Sequence, residues 1–275
     1  MASLPRHGLH YVVGGGYGDV NIDFYETLPS GEDKAFGFNG RGGGAFAKLQ
    51  KELFDPRFTV GMQYLFATIR MRLADGTQAP SFITDRSLDS NVSALGPVAE
   101  FDSRDSIFTP DRGLKLHAHF NWSDDWLGSD YRYGQANGYV YGYLPIGKNA
   151  DTGRGWVSAL RADWQHATGE PPFYLLPFVD MRGIPSARYQ GRTTLILESE
   201  QRIDVTRRWS LMAFGGLAKA FDSGSEAGDA ELLYSYGSGF RYLLARKFKL
   251  RMGVDIARGP EEWAYYIVFG SAWTR

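Results

Sequence analysis

The 275-residue sequence predicts an all-β protein, a transmembrane antiparallel β-barrel of about 12 strands with one extracellular loop folded into its lumen. Three observations predict this fold class. Apolar and polar residues alternate along nearly the whole chain, which indicates strands rather than helices. The strand-like segments are mostly about 11–17 residues long, whereas an average globular strand has about 5–6 and a bilayer-crossing strand needs about 9–11. Their connections alternate between short turns and long polar loops, as in outer-membrane barrels.

Strands are predicted to begin near residues 9, 37, 57, 92, 112, 130, 154, 190, 208, 232, 247 and 263. The clearest alternation lies in residues 248–257, where Phe, Leu, Met, Val and Ile occupy one face and Lys, Arg, Gly, Asp and Ala the other. A soluble sandwich would turn the apolar face inward, whereas an outer-membrane barrel turns it toward lipid. The polar face carries small residues, which favours a narrow, plugged lumen over a sandwich core that needs bulk. These small residues are Gly134, Gly138, Gly142, Gly237 and Gly239.

The connections predict which side of the membrane each end of the barrel faces. Short turns at Asp55-Pro56 and Ala245-Arg246 are expected on the periplasmic side, and long polar loops on the extracellular side. The long loops are predicted at residues 26–36, 74–91, 169–189 and 221–231. The glycines between Gly14 and Gly18 weaken the first strand, which we expect to pair poorly with the last. Residues 1–275 are interpreted as a single barrel domain.

Composition excludes several other classes of protein. Thirty Lys and Arg against 31 Asp and Glu give a net charge of -1, which argues against a nucleic-acid partner. The absence of cysteine excludes disulfides and thiolate zinc sites. No apolar run approaches the about 18–20 residues of a membrane helix. The first residues also lack the apolar segment of a signal peptide, so the chain is expected to be either cytoplasmic or a mature sequence without its signal peptide.

Several motifs follow one another in a defined order after residue 92. Phe101-Asp102-Ser103-Arg104-Asp105 and residues 108–113 flank a predicted periplasmic turn, and residues 172–177 lead to Met181-Arg182-Gly183-Ile184. Residues 198–202, 237–242 and 255–257 follow. In combination they resemble the BamA/TamA superfamily of outer-membrane assembly and secretion barrels, also called the bacterial surface antigen family, over about residues 92–275. Members usually have more strands and periplasmic POTRA repeats, so the resemblance implies a barrel-only member without these repeats.

The resemblance implies a role for Arg182 and Gly183, the plug-loop motif of the loop at about residues 169–189. In that family an Arg-Gly pair lies at the tip of an extracellular loop that folds back into the lumen. Its usual partners are a Glu, which matches Glu200, and an Asp on the following strand, where this chain has Gly216. Glu198 is a second inward carboxylate, so we expect Arg182 to pair with Glu200 or Glu198. The alternative is a solvated loop arginine.

Three further groups of residues are candidate sites. Asp102, Arg104 and Asp105 mix both charges, which favours an ion-pair network that closes the periplasmic turn over a cation site. Tyr265, Phe269 and Trp273 alternate at the end of the chain and are expected to form the C-terminal strand signal that outer-membrane assembly machinery reads. His117 and His119 share a strand face without a clear third ligand, so they are interpreted as polar lumen residues. No metal and no cofactor are expected.

The leading functional prediction is a barrel-only relative of BamA and TamA in the outer membrane of a Gram-negative bacterium. It is expected to assist protein or lipid insertion and so outer-membrane homeostasis. Its expected partners are outer-membrane lipid and, during insertion, the assembly machinery, while an outward aromatic face would equally suit a homo-oligomer.

Two alternatives stay open. The chain could be the C-terminal translocator barrel of a longer secreted protein, with a patatin-like lipase upstream, as in autotransporters of that type. It could also be a plugged channel or a structural barrel. No Gly-x-Ser-x-Gly nucleophile motif is present, so the chain is not expected to be an enzyme.

Overall fold

In a computed structural model of the protein, the strands form one antiparallel sheet in chain order. The structure describes residues 2–4, 8–27, 33–73, 88–148 and 154–273. Within these ranges the strands are β1 (Ala2–Leu4), β2 (Leu9–Thr27), β3 (Asp33–Leu53), β4 (Asp55–Leu73), β5 (Asp89–Asp102), β6 (Gly113–Ser123), β7 (Tyr133–Lys148), β8 (Gly155–Gly169), β9 (Thr193–Asp204), β10 (Trp209–Phe221), β11 (Leu233–Ala245), β12 (Leu250–Arg258) and β13 (Trp263–Phe269). Each strand pairs with the next, so the topology is an up-and-down meander.

The all-β prediction is confirmed, with twelve long strands in the described ranges and a three-residue strand, β1, at the edge. The predicted loop at residues 26–36 is wrong in its bounds, because β2 runs to Thr27 and β3 begins at Asp33. The side chains of Phe24 on β2 and Phe36 on β3 point inward and are buried. Both strands therefore extend into the segment whose polar residues suggested a loop. Most of the predicted loop at 74–91 lies outside the described residues.

The two faces of the sheet have opposite chemistry. On β9 the inner face carries Glu198, Glu200 and Arg202, all buried, while Leu195 and Leu197 on the outer face are exposed. On β13 the outer residues Tyr265 and Ile267 are 73% and 74% exposed. This polar-in, apolar-out pattern is the one that lipid on the outside requires. No helix in the described part of the chain is long and apolar enough to cross a membrane.

The sheet ends in two edges of unequal length, β13 on one side and β2 on the other, where only residues 9–11 of β2 pair with β1. β2 has 19 residues and β13 has 7, and no ladder joins them in the residues that the structure describes. The strands beside them follow the same trend, since β3 has 21 residues and β12 has 9. We call the gap between β2 and β13 the seam.

The interior is filled from both ends of the sheet. The loop between β8 and β9, residues 170–192, packs Phe173 and Ala187 against an aromatic group on β2 and β3. Further along, its residues Val179, Met181 and Ile184 pack against β9, β10 and β11. We call residues 170–192 the plug loop and this end of the sheet the loop end. At the opposite, turn end, residues 103–112 and 270–273 fold inward, and the Ser271 amide donates to the Phe108 carbonyl at 2.6 Å.

Candidate functional site

Seven charged side chains meet inside the sheet beneath the plug loop, and each is at least nine-tenths buried. This interior ionic cluster consists of Arg161, Asp163, Arg182, Glu198, Glu200, Arg241 and Asp255. All except Arg182 lie on the inward rows of β8, β9, β11 and β12, where strand alternation points them to the same side. The plug loop inserts Arg182 among them. The cluster therefore contains three guanidinium groups and four carboxylates.

Arg182 contacts three carboxylates and one aromatic ring. Its Nε and Nη2 donate to Oε1 of Glu198 at 3.1 and 2.6 Å, and Nη1 donates to Oδ2 of Asp255 at 2.8 Å. Nη1 also lies 2.9 Å from Oε2 of Glu200, out of line for a hydrogen bond, so this contact is Coulombic. The guanidinium carbon lies 3.5 Å from the centroid of the Phe214 ring, a cation–π arrangement. A planar fork with several donors suits such a site better than a lysine ammonium would.

Two other arginines share the carboxylates of Arg182. Arg161 donates to Asp163 at 2.6 Å and to the second oxygen of Glu198 at 3.2 Å. Arg241 binds Asp255 with two hydrogen bonds of 2.5 and 2.8 Å. Glu198 therefore bridges Arg161 and Arg182, and Asp255 bridges Arg182 and Arg241. This alternation of signs offsets the desolvation cost of burying the charges.

Gly183 fits a position that a larger residue would not. Its φ is +85°, and an added Cβ would lie 2.7 Å from the Gly259 nitrogen. Its amide donates to the Tyr266 hydroxyl of β13 at 2.8 Å, and the Ser235 hydroxyl donates to the Arg182 carbonyl. The tip of the plug loop is thus held by β11, by β13 and by the turn before β13.

Gly216 explains why the second carboxylate comes from another strand. An added Cβ at Gly216 would lie 2.7 Å from Sδ of Met181 and 3.1 Å from Cγ of Glu198. Met181 therefore occupies the space into which a larger side chain would point, and Asp255 on β12 contacts Arg182 instead. Sequence reasoning missed Asp255 as a partner of Arg182. The signal was present, because Asp255 belongs to the polar row of the alternating segment 248–257.

The three residues of the predicted C-terminal signal do not lie on one side of the sheet. Tyr265 and Phe269 lie on the outer face of β13, but the strand ends at Phe269 and Gly270 has a φ of +79°. The chain then turns into the interior, and Trp273 is only 3% exposed. Its Nε1 donates to Glu198 at 2.8 Å, and its ring packs among inward tyrosines of β7. The prediction that Trp273 continues the alternating strand of Tyr265 and Phe269 is wrong, because the inward pocket supplies Trp273 with both an acceptor and apolar contact.

The predicted turn network at Asp102, Arg104 and Asp105 forms two separate groups. Arg104 pairs with Asp102 through two hydrogen bonds of 2.7 and 2.9 Å. Asp105 instead accepts a hydrogen bond from Lys249 Nζ at 2.7 Å, and Lys249 also donates to Asp111 at 2.7 Å. The turn at residues 103–112 is thereby tied to the start of β12.

The electrostatics of this second group follow from its contacts. Burial alone would raise the pKa of Asp105, but hydrogen bonds from Lys249 and from the backbone amides of Asp111 and Arg112 outweigh it and hold that pKa below its usual value. Burial would likewise lower the pKa of Lys249, and the two carboxylates outweigh it and raise that pKa.

The two histidines considered as ligands lie on the inner face of β6. His117 Nδ1 is 3.0 Å from a Glu100 carboxylate oxygen, and its Nε2 is 2.9 Å from Nδ1 of His119. Lys48 donates to the same Glu100 oxygen at 2.7 Å. In the described ranges, no group of three or more His, Cys, Asp or Glu residues has the arrangement to hold a metal ion.

Comparison with protein-family models gave no match, and comparison with curated proteins gave none either. Among solved structures, the chain is similar to "the crystal structure of BamA from Haemophilus ducreyi lacking POTRA domains 1-3", with a TM-score of 0.62 and 15% sequence identity. The match covers 94% of this chain and 57% of the BamA chain, so this chain spans under two thirds of that protein's length. The chain therefore has a transmembrane β-barrel fold similar to that of BamA.

Proposed function

We propose that this chain is an outer-membrane barrel that assists the insertion of protein or lipid into the bilayer, and that it does so at the seam between β2 and β13. Its outer face would contact lipid, and its turn end would face the periplasm. The observation that carries the proposal is the unpaired seam in a sheet whose interior is otherwise tightly connected.

The β2 edge of the seam has unusual properties for a membrane strand. Gly14, Gly16 and Gly18 point inward, and an added Cβ at any of them would find no atom within 4 Å. Glycines weaken a strand, and an edge strand presents unpaired amide and carbonyl groups that can accept another strand. In a bilayer such groups must find partners, so this edge suits transient pairing with an incoming segment.

The plug loop connects the two sides of the seam at the loop end. The Arg188 guanidinium lies 4.6 Å from the Tyr25 ring of β2 and forms an ion pair with Glu261 at 2.7 Å. Glu261 belongs to the turn between β12 and β13, and the Tyr189 hydroxyl donates to the same carboxylate at 2.8 Å. Separation of β2 from β13 would therefore require Arg188 to release one side.

Cross-linking tests this proposal, since the chain has no native cysteine. Val13→Cys with Ile267→Cys places two outward thiols on β2 and β13, and bismaleimides of increasing length join them. Leu211→Cys with Phe240→Cys is the matched control, because these residues are register partners within the β10–β11 ladder. The readout is transfer of a fluorescent lipid between the leaflets of liposomes that contain the protein.

The seam cross-link is expected to suppress lipid transfer several-fold, and the control cross-link to leave it unchanged. Equal transfer in all three samples would contradict a function at the seam. Equal suppression by both cross-links would assign the effect to general stiffening of the barrel and would contradict it as well.

The interior favours a second candidate, a plugged or structural barrel. Arg182, Arg161 and Trp273 meet around Glu198, and the plug loop and residues 103–112 fill the two ends. Such a barrel would be stable and silent in conductance, and it would show no lipid transfer with or without cross-links.

A further inference from the structure

A second group of charges lies on the outer face of the sheet, near the loop end of β2, β3 and β4. Asp19, Asn21, Asn39, Arg41, Arg70 and Arg72 line a cleft there of about 400 Å³. We call it the rim cleft. It shares no residue with the interior ionic cluster, and strand alternation points its side chains outward.

The rim cleft begins where the apolar outer surface ends. Along β2 the outer row reads Tyr11, Val13, Gly15 and Tyr17 and then changes to Asp19, Asn21 and Asp23. Along β4 the outer row reads Met62, Tyr64 and Phe66 before Thr68, Arg70 and Arg72. The change occurs at the same level on both strands, because Tyr17 pairs with Gly43 and Gly43 with Thr68.

This level corresponds to lipid headgroups. At a rise of about 3.3 Å per residue and a tilt of about 45°, Asp19 and Asn21 lie about 5 and 9 Å beyond Tyr17 along the membrane normal. The headgroup layer on each side of a bilayer is about 5–8 Å thick. With Tyr17 at the boundary of the hydrocarbon, the rim cleft begins within the headgroup layer and extends to its outer limit.

The charges in the cleft, together with Asp89 beside it, form a row across four strands. Register pairs join Asp19 to Arg41, Arg41 to Arg70, and Arg70 to Asp89 on β5. Arg41 binds Asp19 through hydrogen bonds of 2.8 and 3.2 Å, whereas the Arg70–Asp89 contact is 3.7 Å. Arg41 and Arg70 are therefore like charges directly opposite each other, which costs stability unless an anion lies between them.

Arg72 adds a third guanidinium beside this row. It pairs in register with Asn39, which pairs with Asn21, so a cation and two amides stand side by side. Within the described ranges no carboxylate pairs with Arg72. The residues that line the cleft are one acid, Asp19, and three arginines, so the cleft carries excess positive charge, to which Arg72 adds.

We propose that the rim cleft binds the phosphorylated sugar headgroup of an outer-leaflet glycolipid. Arg70 and Arg72 contact the phosphate, since guanidinium forks match phosphate oxygens. Asn21 and Asn39 supply the donors and acceptors that sugar hydroxyls require. The acyl chains then follow the apolar outer row from Tyr17 toward the turn end, next to the seam. The inference rests on the proposed function in taking the outer face as embedded in lipid.

The test uses the full chain in detergent micelles with three probes. Bisphosphorylated lipid A, the same glycolipid without phosphates, and inorganic phosphate are titrated, and binding is measured by native mass spectrometry and thermophoresis. The variants are Arg72→Gln, Arg70→Gln and the control Arg57→Gln. Arg57 lies on the same strand β4 at the turn end, where it is exposed and paired with Asp55. Retention of SDS-resistant, heat-modifiable migration checks that each variant is folded.

The expected result is that bisphosphorylated lipid A binds and its dephosphorylated form binds at least tenfold more weakly. Arg72→Gln and Arg70→Gln each weaken binding at least tenfold, and Arg57→Gln leaves it unchanged. For the wild-type chain, raising the salt to about 1 M, where the Debye length is about 3 Å, also weakens binding. This last measurement needs no variant.

Four results would overturn the proposal: equal binding of the dephosphorylated lipid, unchanged binding in both cleft variants, no effect of salt, or inorganic phosphate that competes at the same concentration as the lipid. The last of these would indicate a site for a free anion. Glycolipid binding that persists while the seam cross-link has no effect would contradict the proposed function alone, so the two failures are distinguishable.

Discussion

Replacement of Arg182 by methionine, Arg182→Met, keeps most of the side-chain volume but removes the guanidinium from the interior ionic cluster. Glu198 retains Arg161, and Asp255 retains Arg241. Glu200 has no other ion pair with a described residue, so one buried carboxylate loses its cation. An uncompensated buried charge of this kind costs about 3–5 kcal/mol of the free energy of unfolding. We therefore expect Arg182→Met to destabilise the folded barrel by about that amount.

A second substitution tests the cause. If the cost arises at Glu200, then Glu200→Gln in the Arg182→Met background should recover most of it, because a neutral amide needs no cation. Alone, Glu200→Gln should cost less than Arg182→Met. Urea unfolding of the four proteins in lipid vesicles, followed by tryptophan fluorescence, closes the double-mutant cycle. A loss below about 1 kcal/mol in Arg182→Met, or no recovery in the double variant, would refute the reasoning.

Three further predictions concern the interior and its two ends. Trp273→Phe keeps the ring contacts but removes the hydrogen bond to Glu198, and urea unfolding should show a loss of about 1–3 kcal/mol because a buried charged acceptor loses a donor. Because the pKa of Asp105 is lowered in the folded protein, its stabilisation is present above the unfolded-chain value of about 3.9 and is lost as the pH falls below it. Acid titration of stability should show this loss, and Lys249→Met should make it smaller. In planar bilayers the barrel should be nearly silent, and deletion of residues 173–187 should produce stable conductance steps.

Each of these has a contrary outcome. Unchanged stability in Trp273→Phe would mean that the indole–carboxylate bond contributes nothing. If Lys249→Met loses the same amount of stability at low pH as the unaltered protein, the contact between Lys249 and Asp105 is not the cause of that loss. Large conductance steps in the unaltered protein, or silence after the deletion, would contradict an interior closed by the plug loop. Trp209→Phe serves as a control for the first of these, because Trp209 lies exposed on the outer face.

Local pattern was sufficient for much of the fold. Strict alternation through Glu198 and Glu200 placed both carboxylates on one face, and the structure brings both within 3.1 Å of Arg182. The contact of Asp255 with Arg182 could not be read in the same way. It depends on how the sheet curves and on how deep the plug loop enters, and neither is encoded in any short segment.

Two other differences also have local causes that the sequence conceals. Beyond Phe269 the alternation continues through Ser271 and Trp273, so a longer strand fitted the pattern equally well. Instead the chain turns inward, because Gly270 adopts a positive φ and Glu198 provides a hydrogen-bond acceptor for Trp273. At the other end, polar and small residues around Phe36 are typical of a loop, but burial of that ring against the plug loop makes the segment a strand.

The interior ionic cluster depends on parts of the chain that lie far apart in the sequence. Arg182 needs Asp255 from β12, and Glu198 accepts a hydrogen bond from Trp273 beyond β13. Until those segments have paired, the plug loop has no complete set of partners and its buried charge is unstable in place. A chain cut off before β12 would therefore keep an exposed, protease-accessible plug loop, whereas a chain that includes β12 and β13 would protect it. The same contacts that hold the loop thus make its protection depend on completion of the sheet.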